Sequence, residues 1–524
     1  MPYGHLNLSK SLVFLPLTRE VARAKRVTEG EKSLINQLFN YPSVSLRSTA
    51  PLTRGAEFTL STHSAVRSVM EDLKFYLITD PHYFEPTLGA RGEAYDAFMR
   101  FEQKCFAETA AINRSVFEYL KKADKADIVL IAGDLSFNGE KASHLGFIKL
   151  LRELQAAGKK VYVITADHDF KNAGDDCFAF DESGRLTPES TRREELYDLY
   201  YEFGFKDAIA VDRQHLSYVS QLSDGVRLLA LNNDGADDGT RRFDEAHIKW
   251  IKEQTQKARD DGQIMIAMNH YPLLPGQPIF SVIPSAVQRE SDAVTTMLAD
   301  EGVHLVFTGH MHNHSINEKI TEKGNKLYDI CTGSIIADPA MIRFVAVTPD
   351  NMAVIKSIET PDFDWDTGGK SCKQYLSDMF DSMILNMLDD MQHNPERVLS
   401  RFGAEDKKSI YPLVKLAGKI VNKITVGGVC RLLWIKCDKS VKPILLKDYV
   451  AELVRNVFEG NQHFREGNPK GEVFIRFLNR LDPILKKINL KTVDGKQADL
   501  FDILKNSAGN YGIDDYNAIL DLIG

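Results

Sequence analysis

Short apolar runs of five or six residues recur along the chain at 75–79, 128–132, 161–165, 226–231, 264–268 and 303–308. Between them, 94–122, 141–157, 191–203, 244–259 and 291–301 carry apolar residues at spacings of three and four. Uninterrupted apolar runs suit strands buried on both faces, and amphipathic stretches suit helices that cover them, so the pattern predicts a layered α/β sheet. Three further runs, 326–332, 341–348 and 352–358, follow one another without a helical stretch and predict antiparallel strands that close the domain.

The turn-rich string PDFDWDTGGKS at 361–371 reads as a linker. Beyond it helical spacing dominates, at 375–391, 413–424, 446–458, 473–488 and 516–522, which predicts an all-α C-terminal domain. Residues 1–72 show weak periodicity. The expected organisation is therefore an N-terminal extension (1–72), an α/β domain (73–360), a linker (361–371) and a helical domain (372–524).

Composition adds exclusions. With 43% hydrophobic and 26% charged residues the chain is ordinary globular protein, neither disordered nor low in complexity. A net charge of −8 repels nucleic acid and anionic membranes in bulk, which disfavours a nuclease. Residues 401–450 run against that trend, with eleven Lys or Arg and four Asp or Glu. A solvated helical face accounts for such a stretch, as does a surface that attracts a polyanion. The six cysteines form no CxxC pair and read as free thiols. The apolar run 12–17 is interrupted by Pro16 and followed by Arg19, Glu20 and Arg23, too short for a signal-peptide core or a membrane span. The first cysteine is Cys105, so no lipid-attachment cysteine lies near the start, and the expectation is a cytoplasmic protein with no membrane span.

The candidate chemistry lies just after the predicted strands, where open α/β sheets place their sites. Five motifs occur in order: Asp80-Pro81-His82, Gly133-Asp134, Asp167-His168-Asp169, Asn269-His270 and Gly309-His310-Met311-His312. Any one of them suits a helix cap or a hydrogen-bonded loop. Together they supply carboxylate and imidazole donors, and a bridging carboxylate can hold two divalent cations about 3.5–4 Å apart, the arrangement of two-metal hydrolysis.

These strings resemble the calcineurin-like metallophosphoesterase superfamily, whose pattern is DxH, GDxx, GNHD or GNHE, a lone His, and GHxH. The corresponding strings here are DPH at 80–82, GDLSFNGE at 133–140, ADHD at 166–169, NHYP at 269–272 and GHMH at 309–312. The stretch GDLSFNGEKASH and the helical C-terminal part are most similar to bacterial class III cyclic-nucleotide phosphodiesterases. The resemblance implies a layered αββα sandwich and two divalent metal ions, Mn, Fe or Zn. It implies that Asp80, His82 and His312 hold one ion, that His270 and His310 hold the other, and that Asp134 bridges them. It further implies that a hydroxide bridging the metals attacks phosphorus, that His168 protonates the leaving oxygen, and that Asp169 hydrogen-bonds the other imidazole nitrogen.

One position departs from the pattern: Asp167 stands where the family has the Asn that completes the second metal's ligands, and Ala166 where it has Gly; the Asp167 carboxylate offers an oxygen at the same reach as a ligand, or the second metal is impaired or absent. Two dications with Asp80, Asp134 and hydroxide carry a net charge of +1, and an ionised Asp167 brings the site to zero. A neutral site attracts a phosphate dianion less and suits a harder ion such as Mn. The expected function is hydrolysis of a small-molecule phosphodiester such as a cyclic nucleotide. The alternatives are a phosphomonoesterase, a nucleotide pyrophosphatase, or a catalytically weak metal-binding protein. Tyr83, Phe84, Phe137, Phe170 and Tyr271 flank the motifs, as core residues or as stacking surfaces for a base. Asn138 is a turn former or a phosphate contact, Ser143 a helix cap, and His314 a surface residue or a support to the ligands.

Overall fold

The computed structural model describes residues 72–523 apart from 236–241, 284, 401–405, 407, 462–463, 487, 489 and 509–511. The expected N-terminal extension lies outside the described residues except for Asp72. Two mixed sheets dominate. The first holds β1 (Leu73–Ile78), β2 (Ile128–Ala132), β3 (Lys160–Ile164), β13 (Met341–Val347), β14 (Met352–Glu359) and β17 (Asn517–Asp521), in the order β17-β14-β13-β1-β2-β3. The second holds β6 (Ala210–Asp212), β7 (Ser217–Ser223), β8 (Val226–Ala230), β9 (Ile264–Met268), β10 (Val303–Thr308), β11 (Ser315–Ile320) and β12 (Lys326–Cys331), in the order β11-β12-β10-β9-β8-β7-β6. Two small hairpins, β4 (Ala179–Asp181) with β5 (Gly184–Leu186) and β15 (Leu490–Lys491) with β16 (Gln497–Ala498), complete the strands.

All five predicted parallel-type runs that matter for the site are strands, and β2 is buried at every position, as its unbroken apolar sequence requires. Strand alternation sends successive side chains to opposite faces. Phe75 meets Phe307 of the second sheet edge-on at 5.3 Å, whereas Tyr76 turns outward to Tyr119 at 6.2 Å. Tyr119 belongs to helix α2 (Thr109–Lys122), which with α1 (Glu93–Met99) and α3 (Lys141–Ala156) precedes β3. After the single turn α4 (Leu196–Leu199), helices α5 (Glu245–Asp260) and α6 (Ser291–Asp300) cover the other sheet, where Ile251, Val294 and Leu298 pack with Leu229 and Val306. The layers run helix, sheet, sheet, helix.

The C-terminal part carries α7 (Cys372–His393), α8 (Pro395–Ser400), α9 (Tyr411–Lys423), α10 (Val426–Leu433), α11 (Leu446–Glu459), α12 (Pro469–Leu485) and α13 (Leu500–Ser507). It is not all-α, because it includes the β15-β16 hairpin and ends in a strand. The expected helix at 516–522 is β17, paired antiparallel with β14 from Met352↔Asp521 to Lys356↔Asn517. The edge of β14 offers unpaired backbone groups, and the sequence there alternates, with Leu520 at 3% exposure and Ile519 at 71%. The expected single helix at 94–122 is two helices. In the break, Glu102 Oε1 accepts from the amides of Gln103 and Lys104, and Glu108 Oε2 from that of Phe106, in place of helical carbonyls. The stretch 191–203 holds only a 3-10 turn, Arg193–Glu195, and α4. All six cysteines are free, and among the described residues no helix is long and apolar enough to cross a membrane.

Candidate metal centre

The five motifs occupy the loops leaving the C-terminal ends of β1, β2 and the edge strand β3 of the first sheet and of β9 and β10 in the middle of the second. Backbone bonds tie these loops in pairs: the Asp80 amide to the Gly133 carbonyl (3.2 Å), that of His82 to Asp134 (2.9 Å), and that of Gly309 to His270 (2.9 Å). The loops after β1, β2 and β10 turn sharply. Asp80 (φ 49°), His82 (38°), Asp134 (52°), His310 (67°) and His312 (53°) all sit in the left-handed region. That conformation costs a side-chain-bearing residue about 1 kcal/mol or more, and it persists where the surroundings impose it, as they do at functional sites.

Two glycines make room for the carboxylate and the imidazole. A Cβ at Gly309 would stand 2.3 Å from Asp80 Oδ2, and one at Gly133, itself at φ 91°, 2.5 Å from His270 Nδ1.

Seven buried or half-buried side chains meet in two groups: Asp80, His82 and His312, and Asp134, Asp167, His270 and His310, with the donor atoms in each group within 4.8 Å of one another. His82 Nε2 and His312 Nε2 are 3.2 Å apart, and His312 Nε2 is 3.4 Å from Asp80 Oδ1. Asp134 joins the groups, its Oδ2 lying 3.5 Å from His82 Nε2 and 3.2 Å from His270 Nε2. Donors at about 2.1 Å from one ion are spaced in this range. His270 Nδ1 is engaged with the Ala132 carbonyl at 2.8 Å, which turns its buried Nε2 towards the Asp134 carboxylate. His310 is held through Nε2 by the Ser285 carbonyl at 2.8 Å, so Nδ1 is the atom it would offer to a cation. A carbonyl on the far nitrogen is how proteins fix a metal-binding imidazole. These His/Asp clusters are of the kind that holds a pair of divalent cations, and the donor set fits them.

Charge organises the site. Burial alone would lower His270, but Asp134 and Asp80 raise it to about 10. Burial opposes the charge on Asp134, yet His270 and His168 keep its carboxyl well below the usual range. Asp167, the departure from the family string, accepts from the Tyr271 hydroxyl at 3.0 Å, and the same oxygen is 2.8 Å from Asp234 Oδ1. One hydroxyl hydrogen thus lies between two carboxylates.

His168 stands beside His82, ring centres 4.8 Å apart, and its amide donates to Asp134 Oδ1 at 3.1 Å. The expected bond from Asp169 to its imidazole is absent. The Phe137 carbonyl occupies Nδ1 at 2.8 Å, and Asp169 turns away. Its Oδ1 accepts from the Ser136 amide (2.8 Å) and hydroxyl (3.2 Å), and its Oδ2 from the Ala166 amide (2.9 Å). A fully buried carboxylate takes the nearest N–H donors, and here those staple the Asp134 loop to the 3-10 turn Asp167–Asp169.

Other expectations resolve locally. Ser143 caps no helix, since α3 starts after Glu140, and its hydroxyl accepts from the Glu85 amide at 3.1 Å. His314 is no surface residue: it is fully buried, with Nε2 2.8 Å from Ser357 Oγ and its amide on the Phe458 carbonyl. Tyr83, Phe84, Phe137 and Tyr271 are core side chains, and Phe170 is half-buried. Asn138 holds Lys171 Nζ at 2.7 Å. The sequence carried no sign of Ser285, the Tyr271 hydroxyl or Lys104, whose ammonium lies 4.6 Å from the Phe137 ring centre.

A family model for calcineurin-like phosphoesterases matches residues 73–314. No curated protein matches the sequence significantly. Among solved structures, the chain is similar to a dimetal phosphatase from Danio rerio, with 15% identity, a TM-score of 0.38, and coverage of 55% of this chain and 97% of that one. It is also similar to a purple acid phosphatase from yellow lupin (Lupinus luteus) seeds, with 11% identity, a TM-score of 0.38, and coverage of 56% of this chain and 52% of that one. With the family match lying over the strands and loops that assemble both His/Asp clusters, residues 73–314 are a calcineurin-like phosphoesterase domain, a metal-dependent hydrolase of phosphoesters.

Proposed function

We propose that the chain hydrolyses phosphodiesters, cyclic nucleotides among them. The observation that carries the reading is the central place of Asp134, whose carboxylate faces donors of both clusters at 3.5 and 3.2 Å. Asp80, His82 and His312 with Asp134 would hold one divalent cation, Mn, Fe or Zn, and Asp134, Asp167, His270 and His310 the other. When bound, such cations supply a water-derived nucleophile near neutral pH and neutralise phosphoryl oxygens.

The remaining work falls to side chains. His168 donates Nδ1–H to the Phe137 carbonyl, so Nε2 is the nitrogen it would turn to a substrate, and burial together with the Lys104 charge keeps the imidazole below its ordinary value. An arriving phosphate anion favours its protonation, after which Nε2–H passes to the leaving oxygen. Asp169 positions the turn that carries it. Asp167 adds negative charge where the family has a neutral amide, and a singly charged diester loses less attraction from that than a dianionic monoester does.

The test is hydrolysis of bis(4-nitrophenyl) phosphate and 4-nitrophenyl phosphate by Mn-loaded protein, beside Asp134→Asn and Asp167→Asn. Diester turnover above monoester turnover, abolished in Asp134→Asn, supports the reading. Turnover that emerges only in Asp167→Asn would make the natural chain a metal-binding protein without this activity.

A further inference from the structure

The loop that interrupts the expected helix brings a cation close to His168. Lys104 is 8% exposed, and its ammonium rests on the ring of Phe137, whose carbonyl holds His168 and whose ring centre is 6.0 Å from that of His82. Lys171, 3% exposed and one residue beyond Phe170, reaches back to Asn138, the neighbour of Phe137. Both lysines therefore converge on the segment 137–138 beside His168. Neither ammonium forms an ion pair among the described residues. Glu140 and Asp167 are near enough to Lys171 to favour its charge, but burial outweighs them and pushes the amine down. Buried charges in folded proteins are paired, because an unpaired one forfeits its hydration. Packing on an aromatic ring needs only the lysine stem or an exposed ammonium. Two buried ammoniums without an ion pair among the described residues, near each other beside His168, are supplied with a counter-charge by an anion that arrives.

We propose that Lys104 and Lys171, with the Asn138 side chain between them and His168, form an anion subsite that is independent of the metals and receives a second negative group on the leaving side of the substrate. The preferred substrate class is then a phosphodiester whose leaving group carries its own phosphate or carboxylate, as in a dinucleotide-type diester, over a cyclic mononucleotide. This rests on the reading of His168 as the group nearest the leaving oxygen.

The experiment compares methyl phenyl phosphate with methyl 4-sulfophenyl phosphate, which differ by one anionic group on the leaving side, using Mn-loaded parent, Lys104→Met and Lys104→Arg. The ratio of kcat/KM for the sulfonated over the plain diester is expected to fall about tenfold in Lys104→Met, mostly through KM, and to recover in Lys104→Arg. An unchanged ratio overturns the subsite. Sulfate titration into the metal-free chain by calorimetry decides independently of turnover: binding in the parent that Lys104→Met loses supports the subsite, and equal affinity overturns it. A parent that hydrolyses neither diester yet binds sulfate through Lys104 would count against the diesterase reading alone.

Discussion

The Nε2 atoms of His82 and His312, 230 residues apart in sequence, face each other at 3.2 Å with Asp80 Oδ1 beside them. Two imidazole nitrogens at that distance share one proton or jointly hold a cation. Metal loading is accordingly expected to stabilise the chain: Mn at a hundredfold over its dissociation constant adds about 2.7 kcal/mol, and chelation removes it. Differential scanning calorimetry with Mn and then EDTA reads this directly. A melting temperature indifferent to both would mean the clusters hold no metal.

His168→Ala is expected to cost about 10²- to 10⁴-fold in kcat/KM for diesters with poor leaving groups, and far less for 4-nitrophenyl esters, whose leaving oxygen needs no proton. The check is a leaving-group series in both proteins. Parallel plots would remove His168 from the protonation step.

Gly309→Ala places a methyl group where Asp80 Oδ2 now sits, and the His310 amide donates to both Asp80 oxygens at 3.0 and 3.1 Å. Those two bonds oppose its displacement. The variant is expected to lose about 1–3 kcal/mol of stability and at least about tenfold in metal affinity, measured by thermal melts and metal titration. Unaltered metal binding would show that Asp80 yields at no cost.

Glu140, fully buried, accepts from the Asn138 amide with Oε2 while Oε1 has no partner, and burial raises its carboxyl from 4.5 to about 7. A raised folded value means that stability is fullest below about 4.5, where both states are protonated, and declines as pH rises towards about 7, because the unfolded chain releases its proton more easily. Glu140→Gln removes this dependence. Urea unfolding at pH 5 and pH 8 should show the variant gaining on the parent by about 2–3 kcal/mol more at the higher pH. An equal difference at both values would assign Glu140 an ordinary titration.

Arg343, fully buried in β13, donates through Nη1 to Ser357 Oγ (2.8 Å) and the Asp515 carbonyl, and through Nη2 to the Cys331 carbonyl (3.1 Å). It ties the chain before β17 to the sheet interior. Arg343→Met leaves buried carbonyls without donors and should cost about 3 kcal/mol, with faster amide hydrogen exchange in β17 than in β1. Uniform protection across the first sheet would deny it this role.

The five motif-bearing loops were legible because each is a local signal, an apolar run followed by Asp, Asn or His. The strands β1, β2, β3, β9 and β10 fall within a residue or two of those runs. The helix expected at 94–122 failed because Glu102 and Glu108 satisfy backbone amides of the break, which lets Phe106 join the cluster of Phe84, Phe137 and Phe180. No residue in the break announces that choice. The Asp169 assignment failed for a related reason: two donors on either side of the turn, Ser136 and Ala166, compete for its oxygens, and a backbone carbonyl, which has no sequence signature, took His168.

What the sequence alone determined is the alternation of buried strands with amphipathic helices and the order of the Asp and His motifs at strand ends, since both are written in neighbouring residues. Only the tertiary structure decided which nitrogen each imidazole turns to the centre, that 517–521 adds a strand to β14, and that Lys104 and Lys171 meet beside His168. Those outcomes depend on competition among hydrogen-bond donors, acceptors and buried charges from segments far apart in the chain, and that competition takes place only once the two sheets have packed.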